Sequence, residues 1–335
     1  HELIDYSANN PNSRTIKDAI QHNMNLNSFI KNKFGGPVFG EGGEHDLRTI
    51  DTLLAGNVDG VAREIYQREF APVIPDFELK YVKPLMVNHG MGPYDRWLGS
   101  GSGGWSVSVD YNAFPIDKYR ATQIAFGHTG LISDQFLMEN PDGISPTEYF
   151  AHAVKEYYIF RKLQEEYLSS NVVQVLYRNP SGLLVTLSQA LKDYSNNINS
   201  AFNNAQLYIE YSNGLKIYIN RHPSNTWSLN VQGSTIYLPP NSWYAYNVNS
   251  GLLVYSMLVD SNGNPSSGGY RVDYSKNSDY IFVDARGTAD INFEGFSGQV
   301  INSRYIKVVK PAGFMLAQLP NGQFVTNLAP ELTSI

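Results

Sequence analysis

The spacing of hydrophobic and polar residues divides the chain into two parts with different predicted architectures. Up to about Arg178, short apolar runs alternate with longer stretches in which apolar residues recur at the helical period. Strands separated by helices indicate βαβ units and a mostly parallel sheet. The predicted strands cover residues 2–7, 37–39, 79–88, 122–126 and 172–177, and the predicted helices cover residues 15–31, 47–69 and 147–168.

From about Gln206 onward the apolar residues instead alternate with polar ones at a period of two. Turn sequences such as Ser212-Asn213-Gly214 separate these short runs, which recur roughly every eight to twelve residues. This pattern predicts an antiparallel β-sandwich in which the tyrosines form core and cross-strand pairs. The predicted strands are QLYIEY, LKIYIN, TWSLNV, STIYLP, WYAYNV, LLVYSML, YIFVDA and IKVVKP.

A length of 335 residues is compatible with two domains. We predict a (β/α) barrel portion of the TIM type, incomplete in this chain, over residues 1–185 and a C-terminal β-sandwich over residues 186–335. No apolar run approaches the ~18 residues that a transmembrane helix requires. Since the chain begins with His1 rather than Met, we expect it to be a fragment or a processed product.

Composition narrows the possible functions. Acidic residues number 31 against 25 Lys and Arg, and no basic stripe is present, which disfavours a nucleic-acid binder. The absence of cysteine excludes disulfides, thiolate metal sites and a cysteine nucleophile. A weakly charged chain with 23 tyrosines suits neutral partners such as sugars or peptides, and no cofactor is predicted.

Polar or ionisable residues follow each predicted strand of the first part. In α/β architectures the carboxyl ends of parallel strands line the ligand site, so we expect these residues to converge. Asp5 ends the first strand, and Glu41 follows the second within a glycine-rich segment. The next two strand ends bring His89, with Tyr94, Arg96, Trp97 and Trp105 downstream, and His128.

Two carboxylates that share a cleft are the machinery of glycoside hydrolysis. One acts as nucleophile or base while the other protonates the departing oxygen, provided that their environments separate the two pKa values. Aromatic rings at Tyr94, Trp97 and Trp105 would stack on sugar rings. Structural alternatives remain open, since Asp5 is also suited to capping or an Asx turn and Glu41 to a solvated turn. His89 and His128 are equally suited to structural hydrogen bonds.

Four short blocks of this sequence resemble a known family. They are Leu3-Ile4-Asp5 with Asn10-Pro11, GPVFGEG at residues 36–42, PLMVNHGMG at residues 84–92, and Ala125-Phe126-Gly127-His128. Over roughly residues 1–180 the chain resembles the latter part of a (β/α)8-barrel glycosidase of the endo-α-N-acetylgalactosaminidase-like kind, including related uncharacterised bacterial predicted glycosidases.

This resemblance implies a retaining hydrolase that acts on an α-linked glycan. Asp5 would match the nucleophile and Glu41 the acid/base, while His89, Tyr94, Arg96 and His128 would line the sugar subsite beside Trp97 or Trp105. A full barrel has eight strands, whereas we count five before the antiparallel region. The missing strands would therefore come from another part of the protein or from a second chain.

Two other functions fit the sequence. A non-catalytic carbohydrate-binding or surface protein would use Trp227 and Trp243 of the sandwich as an exposed platform, so burial of those side chains would disfavour it. A structural subunit of a split barrel would need a partner to cover its sheet edges.

Overall fold

The computed structural model describes residues 16–36, 38–41, 60–62, 75–77, 79–80, 86–87, 116–127, 146–197, 200–201, 204–287, 290–293, 296, 300–301, 304–308, 317–318, 324–325 and 332–334. These residues form mostly antiparallel sheet with few helices. The helices are α1 Ile16–Phe34, the single turn α2 Pro75–Phe77, α3 Ile116–Phe126, α4 Pro146–Leu168 and α5 Leu187–Asp193.

The first part contains a small parallel sheet, as the alternating pattern predicted. Its strands are β1 Phe39–Glu41, β2 Gly60–Ala62 and β3 Met86–Val87, paired in that order. The prediction of one helix over residues 47–69 is wrong at β2, because a strand this short has no periodicity to distinguish it from helix. The prediction of a strand over residues 79–88 holds only for β3, since Leu79 and Lys80 lie in a helical turn.

Residues 122–126 form helix and not the predicted strand. They are the second half of α3, in which every residue from Arg120 to Gly127 is buried. Only Ile124, Ala125 and Phe126 form a continuous apolar run here, and so short a run cannot be assigned to helix or strand by periodicity. The sequence segment that was predicted to form a fourth parallel strand therefore belongs to α3.

Helix α3 ends where glycine is required. Gly127 has φ of 65° and donates its N–H to the carbonyl of Ile124 at 3.2 Å. A Cβ at this position would lie 2.8 Å from Cδ2 of Leu79, so a larger residue would clash and would also be strained. The positive φ and the close approach of Leu79 therefore both favour glycine at the end of α3.

Helices α1 and α4 confirm two sequence predictions. Helix α4 begins at Pro146, whose fixed φ suits the first helical position, and buries Phe160, Leu163 and Tyr167 of the predicted apolar stripe, whereas Tyr157 of that stripe is 42% exposed. Helix α1 extends the predicted helix by three residues and leaves Phe29 and Phe34 mostly exposed.

The second part is built on one ten-stranded sheet. Its order is β19-β16-β13-β12-β11-β10-β7-β6-β4-β5. The strands of the second part are β6 Gln206–Tyr211, β7 Lys216–Asn220, β8 Trp227–Val231, β9 Ser234–Leu238, β10 Ser242–Asn247, β11 Leu252–Val259, β12 Tyr270–Lys276, β13 Tyr280–Asp284, β14 Ile291–Asn292, β15 Val300–Ile301, β16 Arg304–Val308, β17 Ala317–Gln318, β18 Phe324–Val325 and β19 Leu332–Ser334.

Strand β4 (Val172–Arg178) was predicted as a strand, but its expected parallel pairing is wrong. It pairs antiparallel with β6 and with the short edge strand β5 (Leu184–Val185). The ten-stranded sheet therefore includes strands from both sides of the proposed division at residues 185/186. That division into domains stays a prediction.

The two faces of this sheet are covered differently. On the helix-side face, α3 and α4 pack over a core that includes Leu207, Ile217, Trp243 and Phe282. On the opposite face, the hairpin β8–β9 packs against β11 and encloses Trp227 within a second core. This second layer is consistent with the predicted sandwich.

A row of tyrosines crosses the hairpin-side face. The five residues occupy directly paired positions on five successive strands. Neighbouring rings lie close, for example 4.9 Å between the centroids of Tyr255 and Tyr274. The prediction of cross-strand tyrosine pairs is thus confirmed, and each aromatic pair contributes roughly 0.2–1 kcal/mol. The row consists of Tyr208, Tyr218, Tyr244, Tyr255 and Tyr274.

Candidate functional site

Most of the predicted site residues lie outside the described residues. Glu41 is the exception, since its backbone forms the last position of β1. The convergence of the predicted side chains on one cleft therefore stays a prediction. The residues outside the described part are Asp5, His89, Tyr94, Arg96, Trp97, Trp105 and His128.

The parallel sheet brings two predicted strand ends to one edge. Glu41 pairs in register with Ala62 of β2, and Ala62 pairs with Val87 of β3. Neighbouring strands are ~4.8 Å apart, so the backbones of Glu41 and Val87 are separated by roughly 10 Å along this edge. In the sequence Val87 directly precedes Asn88 and His89. We call the row Glu41–Ala62–Val87 the carboxyl edge.

Strand β2 was missed by the sequence analysis, and it changes the order along the carboxyl edge. The strand that ends at Glu41 and the strand that precedes His89 were expected to be neighbours, but β2 lies between them. In the sequence Ala62 is followed by Arg63 and Glu64. These two residues therefore join the candidate site residues that follow a strand of the parallel sheet. The signal was present as the apolar tripeptide Gly-Val-Ala, too short to recognise.

A second group of ionisable residues was not predicted at all. Between α3, α4 and the helix-side face of the sheet, nine charged side chains form one connected group of ion pairs. We call it the ion cluster. Its members are Asp117, Arg120, Lys155, Glu156, Arg271, Asp273, Asp284, Arg286 and Arg304.

Asp117 joins the start of α3 to the sheet. Its carboxylate accepts hydrogen bonds from both terminal nitrogens of Arg286, at 2.7 and 2.9 Å, and lies 3.1 Å from Nη1 of Arg271. Arg120, one turn along the helix, also contacts Asp117 at 3.3 Å and pairs through Nε with Glu156 of α4. The bidentate Arg286 contact is the strong, directional kind of ion pair.

Lys155 and Asp273 form the centre of the ion cluster. The Lys155 ammonium pairs with Asp273 and, at 2.9 Å, with Oδ2 of Asp284. Asp273 also accepts two hydrogen bonds from Arg286, at 2.8 and 2.9 Å, and its side chain is fully buried. Arg304 completes the group at the rim, 3.0 Å from Asp284.

Opposite charge outweighs burial for the aspartates of the ion cluster. Burial alone would raise the pKa of Asp117, but Arg271 and Arg286 hold it well below its usual range. Burial would likewise raise the pKa of Asp273, which Arg286 and Lys155 instead lower strongly. Both groups are therefore ionised in the folded protein, with every carboxylate facing a cation.

Every carboxylate of the ion cluster is paired with a cation, so none is free to act on a substrate as a base or nucleophile. Apart from Arg304 at the rim, the cluster consists of four acidic and four basic side chains, so its charge is balanced. Among the described residues, no group of three or more His, Asp or Glu side chains could hold a metal ion. We therefore interpret the ion cluster as structural.

The sandwich does not present tryptophans as a sugar platform. Trp227 is 4% exposed and Trp243 is fully buried, both within the two cores. A stacking surface needs exposed ring faces, which neither side chain provides. This burial argues against the non-catalytic binding hypothesis in the form that uses these two residues.

No protein-family model matches the chain, and no curated protein or solved structure is significantly similar to it. None of the helices in the described part of the chain has the length and apolar character needed to cross a membrane.

Proposed function

We propose that the chain is a retaining glycoside hydrolase that acts on an α-linked glycan, with Asp5 as nucleophile and Glu41 as acid/base. The observation that supports this proposal is the position of Glu41 at the carboxyl edge of a parallel sheet. In parallel α/β architectures, substrates bind beyond this end of the strands. Glu41 occupies the last position of such a strand, which is a suitable position for an acid/base catalyst.

The two carboxyl groups divide the chemistry between them. In the first step the Asp5 carboxylate attacks the anomeric carbon while the protonated Glu41 donates its proton to the departing glycosidic oxygen. In the second step Glu41 removes a proton from water, which attacks the same carbon and releases Asp5. Two inversions give net retention, and the carboxyl groups must stand about 5–5.5 Å apart.

The remaining predicted residues would bind the sugar. His89 follows β3 by two residues in the sequence, and β3 ends on the same carboxyl edge as Glu41. His128 directly follows Gly127, which ends α3. These two histidines, with Tyr94 and Arg96, would form hydrogen bonds to the sugar hydroxyls. Trp97 or Trp105 would stack on the sugar ring.

The proposal includes a (β/α) barrel that contains β1, β2 and β3. Three parallel strands in sequential order agree with such a sheet, while a full barrel has eight. The other strands would come from further sequence or from a second chain. Open edges of a partial barrel would need such a cover.

The stereochemistry of hydrolysis tests the proposed function. We expect the protein to hydrolyse an aryl α-glycoside, within a panel of α- and β-linked aryl sugars that includes the N-acetyl-α-galactosaminide. Proton NMR recorded in the first minutes should show the α-anomer as the first product, before mutarotation. A first product of β configuration would exclude the retaining mechanism, and no hydrolysis across the panel would contradict the activity.

A further inference from the structure

The ion cluster connects segments that are far apart in the sequence. Its helix-side members lie on α3 and α4, between residues 117 and 156, and its sheet-side members lie between residues 271 and 304. Lys155 and Asp284 are separated by 129 positions, and Arg286 and Asp117 by 169. The cluster therefore joins α3 and α4 to strands β12, β13 and β16 and to the turn that follows β13.

We propose that the ion cluster fixes the orientation of α3 and α4 on the sheet and makes the helices and the ten-stranded sheet one cooperative folding unit. This unit crosses the division predicted at residues 185/186. The inference is independent of the proposed glycosidase activity, because it concerns only residues that contact one another in the described structure.

The charges on the helices and on the sheet side are complementary in number and position. The helices contribute Asp117, Glu156, Arg120 and Lys155, which are two acids and two bases. The sheet contributes Asp273, Asp284, Arg271 and Arg286, again two of each. A slip of α4 by one turn, about 5.4 Å, would take Lys155 away from both of its aspartates and leave buried charges unpaired.

The apolar contacts around the ion cluster stabilise the packing of the helices on the sheet but do not determine their exact position. Ile124 of α3 and Leu163 of α4 belong to the same hydrophobic core as Trp243 of the sheet. Burial of apolar area is non-directional, so these contacts tolerate small changes in helix position. Directional ion pairs at the end of that interface select one position among those that the core allows.

Hydrogen exchange of the full chain tests this inference through Asp117→Asn. The substitution removes the charge that Arg271 and Arg286 share, while the side chain keeps its shape. In a cooperative unit, the slowest amides of α3, α4 and β11 should all exchange faster by the same factor, about a hundredfold. Mass spectrometry of peptides from each element measures the three rates separately.

Asp279→Asn is the matched control, because Asp279 pairs with Lys162 of the same helix α4 at 2.8 Å but is 35% exposed. It should change exchange by no more than about threefold. Arg304→Gln removes a contact at the rim and gives a milder test if Asp117→Asn fails to fold, again with one shared factor. Faster exchange confined to the helices, or an effect no larger than that of Asp279→Asn, would overturn the inference.

Discussion

Glu41→Gln is expected to lower turnover of an α-linked substrate by about 10²–10⁴-fold, the contribution of a positioned general acid/base. Glutamine keeps the size and hydrogen-bonding shape of glutamate but has no proton to donate to the departing oxygen. Because Glu41 is the last residue of the short strand β1, its backbone pairing with Ala62 is retained in the variant. The kcat on aryl glycosides with poor leaving groups measures the effect.

The leaving group provides an internal check on the role of Glu41. A substrate with an activated leaving group needs no protonation, so the variant should lose much less of its glycosylation rate on such a substrate. Azide added to Glu41→Ala should restore turnover and give an α-glycosyl azide, since azide needs no general base. Glu165→Gln serves as the control, because Glu165 lies on the exposed side of α4, and its kcat should be unchanged. Equal activity of Glu41→Gln and Glu165→Gln would remove Glu41 from the mechanism.

Asp273→Asn is expected to lower the free energy of unfolding by about 3–5 kcal/mol, the typical cost of removing one partner from a buried ion pair. The substitution leaves the Lys155 ammonium and the Arg286 guanidinium without the charge that both now share. Asp284 and Asp117 still pair with these cations, but neither occupies the centre of the group. Urea unfolding followed by circular dichroism measures the change.

The stability of the protein should also depend on pH through the ionisation of Asp273. The folded-state pKa of Asp273 lies well below its unfolded value, so its stabilising contribution is complete above about pH 4 and is lost as pH falls further. Asp273→Asn should therefore show a smaller loss of stability than the unsubstituted protein on acidification below pH 4. Asp279→Asn, at the exposed pair, should cost about 0–1 kcal/mol. A cost for Asp273→Asn within that same range would refute the structural role of the ion cluster.

Periodicity predicted some elements well, although not every element with one polar face. The prediction QLYIEY coincides with β6 Gln206–Tyr211, and the stripe over residues 147–168 with α4. It failed for residues 122–126 of α3, which are all buried, and for β2, which has only three residues. In both segments the spacing of apolar residues carries no period that would distinguish a helix from a strand.

Strand β12 shows why the ion cluster escaped prediction. This strand, Tyr270–Lys276, was not among the strands named from the sequence, because its helix-side face carries Arg271, Asp273 and Ser275 in place of apolar residues, with Asp273 and Ser275 buried and Arg271 partly buried. Charges at alternate positions of a strand are normally taken as its solvated face. Their partners on α3 and α4 lie more than a hundred positions away, so only the folded chain reveals the pairing.

The candidate site, unlike the ion cluster, was predicted from the sequence. Its residues were chosen from the sequence, and the structure contributes the parallel register that aligns Glu41 with the strand preceding His89. The order of strands along that edge needed correction because β2 intervenes. Spacing alone could not predict an extra strand made of glycine, valine and alanine.

Trapping of the covalent intermediate tests the proposed division of labour most directly. A 5-fluoro-α-glycosyl fluoride of the accepted sugar forms the glycosyl-enzyme but slows its hydrolysis, so the labelled residue can be located by peptide mass spectrometry. We predict one added glycosyl group, carried by the carboxyl group of Asp5, with no label on Asp5→Asn. A label on another residue, or a protein that turns over α-glycosides without ever accumulating one, would contradict the account.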